Sequence, residues 1–124
     1  MSTYHWVVRV RMKKGGEIVY GGGISYLLQK TDALGSLLAA AKEMGMSYRK
    51  ALHIVKRAEE HLGKPLLKKV IGGPGGGGSE LTAFAKDFVY RFRDLEQAVE
   101  RYARGLAQSG FAAYCGDTCR TQGE

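Results

Sequence analysis

Residues 36–63 read SLLAAAKEMGMSYRKALHIVKRAEEHLG, two helical patterns separated by a short break. Leu37, Leu38, Ala40, Ala41 and Met44 form one apolar helix face. Gly45 ends that helix, because glycine takes up left-handed backbone without a Cβ penalty. Ser47 then stands where a hydroxyl can cap a new helix by accepting from a backbone N–H two or three residues ahead. In that second helix Ala51, Ile54, Val55, Ala58 and Leu62 recur at spacings of three and four, and Gly63 is the stop. Arg49, Lys50, His53, Lys56, Arg57 and Glu60 are left for its outer surface. Two helices joined by so short a glycine-containing turn predict a helix-turn-helix.

The flanks extend this unit. Downstream, KPLLKKVI (64–71) ends in β-branched residues, GGPGGGG (72–78) follows, and Ser79-Glu80-Leu81 can return as the second strand of a glycine-tipped hairpin. From about Thr82 to Ala107 a long helix is expected. Its residues Ala85, Phe88, Phe92, Leu95, Val99, Tyr102 and Leu106 alternate spacings of three and four, which is a heptad seam. Such a helix is about 40 Å long at ~1.5 Å per residue, longer than a small domain is wide, so the seam needs a partner. A second copy of the chain is the economical one, with Phe88, Phe92, Leu95, Val99 and Tyr102 as its contact. Upstream, WVVRVRM (6–12) predicts a strand, Lys14-Gly15-Gly16 a turn, and EIVY (17–20) a return strand. Ile24, Leu27, Leu28 and Leu34 then mark a first core helix over 24–34, ended by Gly35. The expected architecture is mainly α with small β: a winged helix-turn-helix with an N-terminal strand hairpin and a long C-terminal dimerisation helix. It occupies residues 1–108 as one domain, and 109–124 form a short tail.

Size and charge narrow the function. A chain of 124 residues is one core's worth, since a domain usually takes about 100–200 residues, and a large two-domain enzyme is excluded. No apolar run approaches the roughly 20 residues of a membrane span. The N-terminal stretch interrupts its apolar residues with charges and offers no small-residue cleavage site, so a cytoplasmic protein without membrane contact is expected. The net charge of +7 is uneven: residues 1–78 carry +8 and residues 79–124 carry −1. Arg49, Lys50, Lys56, Arg57, Lys64, Lys68 and Lys69 crowd into 46–70 against only Glu59 and Glu60, a bias that suits a polyanionic partner.

Signals for enzymatic chemistry are weak. Gly73-x-Gly75-x-x-Gly78 matches a dinucleotide fingerprint in letters, but six glycines in seven positions nearly force the match. The helix after it carries a heptad seam, and no second parallel strand follows. No Lys-Ser or Lys-Thr follows the glycines, which removes a phosphate-binding P-loop. His5, His53 and His61 share no metal-ligand spacing; the last two stand about 12 Å apart along one helix. No nucleophile elbow or zinc-protease pattern is present, so neither an enzyme nor a cofactor is expected. Cys115 and Cys119, with Asp117 between them, could bind a soft metal only with ligands from elsewhere; the plainer reading is two free thiols in an accessory tail.

The stretch 35–88 resembles the N-terminal DNA-binding domain of ModE-type molybdate-responsive regulators, relatives of the LysR-type helix-turn-helix. The likeness is carried by the Gly35-Ser36 opening, Ala-Ala-Lys, Gly-Met-Ser-Tyr-Arg-Lys-Ala (45–51), the glycine-rich GGPGGGG and Leu81-Thr82; KRAEEHLGKPL (56–66) is equally like the LysR pattern. With the flanking elements it extends over roughly 5–107. Where the family has Gly-Ser-Ile-Ser, this chain has Gly35-Ser36-Leu37-Leu38, one hydroxyl fewer at a helix start. The family's molybdate-binding β-barrel modules do not fit into the 16 residues after Gln108, so oxyanion sensing is not expected of this stretch and would fall to a separate effector-binding partner.

The resemblance implies double-stranded DNA as partner and a homodimer. Ser47, Tyr48, Arg49, Lys50 and His53 would then stand at the groove-facing start of the second helix, with Arg57 deeper and nearer phosphate. Lys68 and Lys69, with Gly75 and Gly76 at the wing tip, would meet the backbone or minor groove. Two rival readings remain: an interaction protein of molybdenum or tungsten metabolism that does not bind DNA, and an oxyanion-binding protein using the glycine loop as an anion nest.

Overall fold

The computed structural model describes residues 5–71 and 78–115. In chain order it contains β1 (Arg11–Lys14), β2 (Glu17–Gly21), α1 (Gly22–Leu34), α2 (Leu37–Glu43), α3 (Tyr48–Leu62), β3 (Leu67–Val70), β4 (Gly78–Leu81) and α4 (Ala83–Cys115). It is mainly helical, with two small antiparallel hairpins and a long C-terminal helix. Among the described residues no helix is long and apolar enough to cross a membrane.

The described residues form two compact units, one spanning Val10–Phe92 and a smaller one made of 5–9 with 93–115. In the larger unit β1 and β2 pair through the turn Gly15-Gly16, both at positive φ (58° and 87°). Two such residues in succession make the tight primed turn whose twist matches a hairpin, and glycine reaches it without strain. The pairing skips from Met12↔Tyr20 to Lys13↔Ile18, leaving Val19 as an extra bulged residue. That bulge explains why Val19 and Tyr20, neighbours that a regular strand would send to opposite faces, are both buried. Tyr20 is fully enclosed, edge-on to Phe88 (centroids 4.6 Å apart) and Phe92 (4.9 Å). The same core holds Leu27 and Leu28 of α1, Leu37, Ala40 and Ala41 of α2, Ala51, Val55 and Ala58 of α3, Leu66, Leu81, Ala85 and Val89. Lys30 Nζ donates to Glu43 Oε1 at 3.0 Å, tying α1 to α2; this hydrogen bond and the carboxylate's charge raise the Lys30 ammonium above its ordinary value.

In the smaller unit the Trp6 and Phe111 rings meet at 5.1 Å, and Arg104 approaches Glu100 at 3.8 Å. Burial raises the Glu96 carboxyl, with Glu100 adding to the effect and Arg93 opposing it.

Two expectations about the elements need correction. The strand expected over 6–12 is β1 at Arg11–Lys14: the two-residue turn sets the ladder close to Gly15, and residues 6–9 belong to the other unit. The last helix does not end near Ala107 but continues to Cys115, into the stretch read as a tail. The apolar seam stops at Leu106, but helix propensity does not; no proline intervenes, and the single Gly110 costs only about 1 kcal/mol.

Candidate nucleic-acid interface

The turn between α2 and α3 is built as local chemistry requires. Ser36 Oγ accepts from the Ala39 N–H at 3.1 Å and Ser47 Oγ from the Lys50 N–H at 3.1 Å, so each helix starts on a hydroxyl cap. Between them Gly45 lies at φ 73°, with its N–H donating to Lys42 O (3.1 Å) and the Met46 N–H to Ala41 O (2.9 Å). The chain therefore leaves α2 and enters α3 in one defined geometry. Gly63, at φ 76°, closes α3.

Around α3 the residues sort by angle. Ala51, Val55 and Ala58 are buried, whereas Arg49, Lys50, His53, Lys56 and Arg57 are exposed. At about 100° per residue, Arg49, His53 and Lys56 make one outward stripe, with Lys50 and Arg57 along one of its edges. Among the described residues Arg49, Lys50 and Lys56 have no carboxylate partner, so the stripe keeps its charge. Arg57 differs: its guanidinium pairs with Glu17 of β2, and His61 Nε2 lies 3.5 Å from the same carboxylate. A residue read as a phosphate contact thus already has an anionic partner. The sequence does not reveal the pairing, because the partners are forty positions apart and on different elements.

The β3–β4 hairpin is anchored to α3 and to the end of α1, and is closed at its own base. Glu59 of α3 accepts from the Leu66 N–H at 2.7 Å, Thr82 Oγ1 donates to Pro65 O at 2.8 Å, and the Ser79 N–H donates to Gly35 O at 2.9 Å. At Gly78 a Cβ would stand 2.3 Å from that same Gly35 carbonyl oxygen, a distance no side chain tolerates. Gly78→Ala should therefore break the Ser79–Gly35 hydrogen bond and lift the hairpin. Faster amide exchange at Ser79, with α1–α3 protection unchanged, is the outcome to check; unchanged exchange at Ser79 would contradict this packing. Lys68 sits across from Glu80 in the ladder and pairs with it at 3.2 Å, whereas Lys69, opposite Ser79, has no acidic partner among the described residues. Lys69 lines an open cleft with Ser36, Leu38 and Tyr48, the side of α3 that faces this hairpin. Gly75 and Gly76 lie outside the described residues.

The seam on α4 is divided between two uses. Phe88 and Phe92 pack on Tyr20 in the core of the larger unit. Leu95 (49% exposed), Tyr102 (71%) and Leu106 (58%) present apolar surface to solvent, and Val99 is half-buried. Cys115 is the last residue of α4, and Cys119 lies outside the described residues. Among the described residues no cluster of His, Cys, Asp and Glu has the arrangement of a metal site.

No family model matches the chain. Among characterised proteins it is similar to the molybdenum-pterin-binding protein MopA of Rhodobacter capsulatus, with 27% identity over 91% of this chain and 42% of that protein. It is also similar to the molybdenum transport protein ModE of Azotobacter vinelandii, with 34% identity over 56% of this chain and 26% of the relative. The transcriptional regulator ModE of Haemophilus influenzae shares 32% identity over 60% of this chain and 29% of its own length. The chain thus spans less than half the length of each of these relatives.

Proposed function

We propose that the chain is a ModE-type DNA-binding module, a winged helix-turn-helix that binds duplex DNA as a homodimer and serves transcriptional regulation rather than catalysis. The observation that carries this reading is the stripe Arg49–His53–Lys56 with Lys50 beside it: exposed, free of carboxylate partners among the described residues, on a helix whose start is fixed by the Ser47 cap. In this reading α3 is the recognition helix, entering the major groove by its N-terminal residues, and β3–β4 is the wing. The likeness to the transcriptional regulator ModE of Haemophilus influenzae supports the regulatory role. The apolar Leu95, Tyr102 and Leu106 on α4 supply a self-complementary face for a second copy.

The wing lysines test the reading. Each phosphate contact adds about 0.9 to the slope of log affinity against log salt on B-DNA. Lys69→Ala should flatten the slope by about that much, and Lys68→Ala should do so by less because Glu80 already offsets its charge. Neither should change the preference for specific over random duplex. Anisotropy titrations at several salt concentrations measure both; no duplex binding by the wild-type protein sinks the reading.

A second reading has one observation in its favour. MopA, similar over 91% of this chain, carries a molybdenum-pterin-binding name, which suits a binding protein of molybdenum or tungsten metabolism whose glycine loop takes an oxyanion. Tight molybdate or tungstate binding by a protein that ignores duplex DNA would select it.

A further inference from the structure

The β1–β2 hairpin carries a second concentration of cations that the wing and α3 do not account for. Arg11, Lys13 and Lys14 are all exposed, and the tip beyond them is the bare glycine turn Gly15-Gly16. The hairpin's one acidic residue, Glu17, is turned to α3, where Arg57 and His61 hold it. Arg11 and Lys13 have no carboxylate partner among the described residues, and Lys14, which stands opposite Glu17 in the ladder, makes no ion pair there because that carboxylate is engaged by Arg57 and His61.

Helix geometry places this hairpin against the other. Tyr48 lines the cleft beside β3–β4, and Arg57 binds the base of the β1–β2 turn. The two are nine residues apart on α3, and at ~100° per residue that is half a revolution. Arg49, His53 and Lys56 occupy the exposed arc between them, while Ala51, Val55 and Ala58 fill the buried one. The two hairpins thus bracket the basic stripe. A helix about 10–12 Å across fills a major groove about 12 Å wide, so whatever flanks it on either side meets a sugar-phosphate backbone. From this arrangement we infer that β1–β2 is a second wing, whose Lys13 and Lys14 contact the phosphates of the strand opposite the one met by β3–β4. The inference rests on the reading of α3 as the groove-entering helix. The Glu17–Arg57 pair is the brace that holds this wing to α3.

The experiment compares wild type, Lys13→Ala/Lys14→Ala and Arg49→Ala on one selected duplex and one random duplex at several salt concentrations. For the hairpin variant the log–log salt slope should flatten by about 1.8, so that the loss of affinity between about 50 and 200 mM salt becomes roughly tenfold smaller. Its ratio of selected to random binding should stay at the wild-type value, and hydroxyl-radical protection of the backbone should shrink on one flank only. Unchanged slope and footprint, with Arg49→Ala still impaired, overturn the second wing and leave the reading of α3 standing. Absence of duplex binding by the wild type removes both. Both lysines are exposed, so matching thermal melts of variant and wild type verify that the fold is intact.

Discussion

Truncating Phe92 to alanine should cost about 3–5 kcal/mol of folding stability, whereas lysines at Leu95 and Leu106 should leave folding nearly unchanged and abolish self-association. The contrast follows from their surroundings, since all three lie on one heptad pattern. Phe92 is 7% exposed and edge-on to the fully buried Tyr20, so removing its ring empties a cavity beside the aromatic centre of the core. With total stabilities of about 5–15 kcal/mol for a domain, a loss of this size is a large share of the whole. Leu95 and Leu106 are about half exposed in the single protomer (49% and 58%), where substitutions usually change stability by no more than ~0.5 kcal/mol, so any further loss reports the dimer and depends on protein concentration. Urea melts followed by circular dichroism should separate Phe92→Ala from the lysine variant, and sedimentation equilibrium should show a wild-type dimer and a monomeric Leu95→Lys/Leu106→Lys protein. A dimer that survives both lysines would move the interface elsewhere. A Phe92→Ala protein with the wild-type midpoint would contradict the core as described.

Arg49→Ala should have the largest effect on recognition. Arg49 stands in the first turn of α3, directly after the Ser47 cap, where a helix pointed into the groove brings side chains closest to base edges. It is exposed and holds no carboxylate among the described residues, so its fork of donors is free for a base pair. A bidentate arginine contact is worth about 1–3 kcal/mol of discrimination, roughly a five- to 150-fold drop in the ratio of specific to random binding. An arginine that met only phosphate at the same place would, once removed, weaken all duplexes alike. If Arg49→Ala lowers affinity without lowering that ratio, α3 is an electrostatic surface and not the reading element.

Local chemistry is the part of the fold that the chain spells out residue by residue. Ser47 and Ser36 cap helices because their hydroxyls sit three residues before an unsatisfied N–H, and Gly35, Gly45 and Gly63 mark helix ends through their positive φ; all of this is encoded over a few neighbouring residues. The β3–β4 hairpin is legible for the same reason. The fate of the α4 seam is not, because spacings of three and four are the same whether a side chain meets its own core, as Phe92 does, or solvent, as Tyr102 does. Nor can spacing show that Arg57 is engaged by Glu17, that Lys68 is offset by Glu80, or that Gly78 is required by the Gly35 carbonyl; these depend on elements meeting in three dimensions. The extent of α4 exceeds its apolar signal, which fades before the helix ends.

The proposed reading of duplex DNA by α3 is checked by selecting bound genomic fragments at defined salt, then titrating the full chain with the enriched duplex and with a scrambled one of equal length. Affinity for both should fall linearly on a log–log salt scale, and the enriched duplex should bind about a thousandfold or more tightly at physiological salt. Equal affinity for the two sequences, or no duplex binding at low salt, would contradict it.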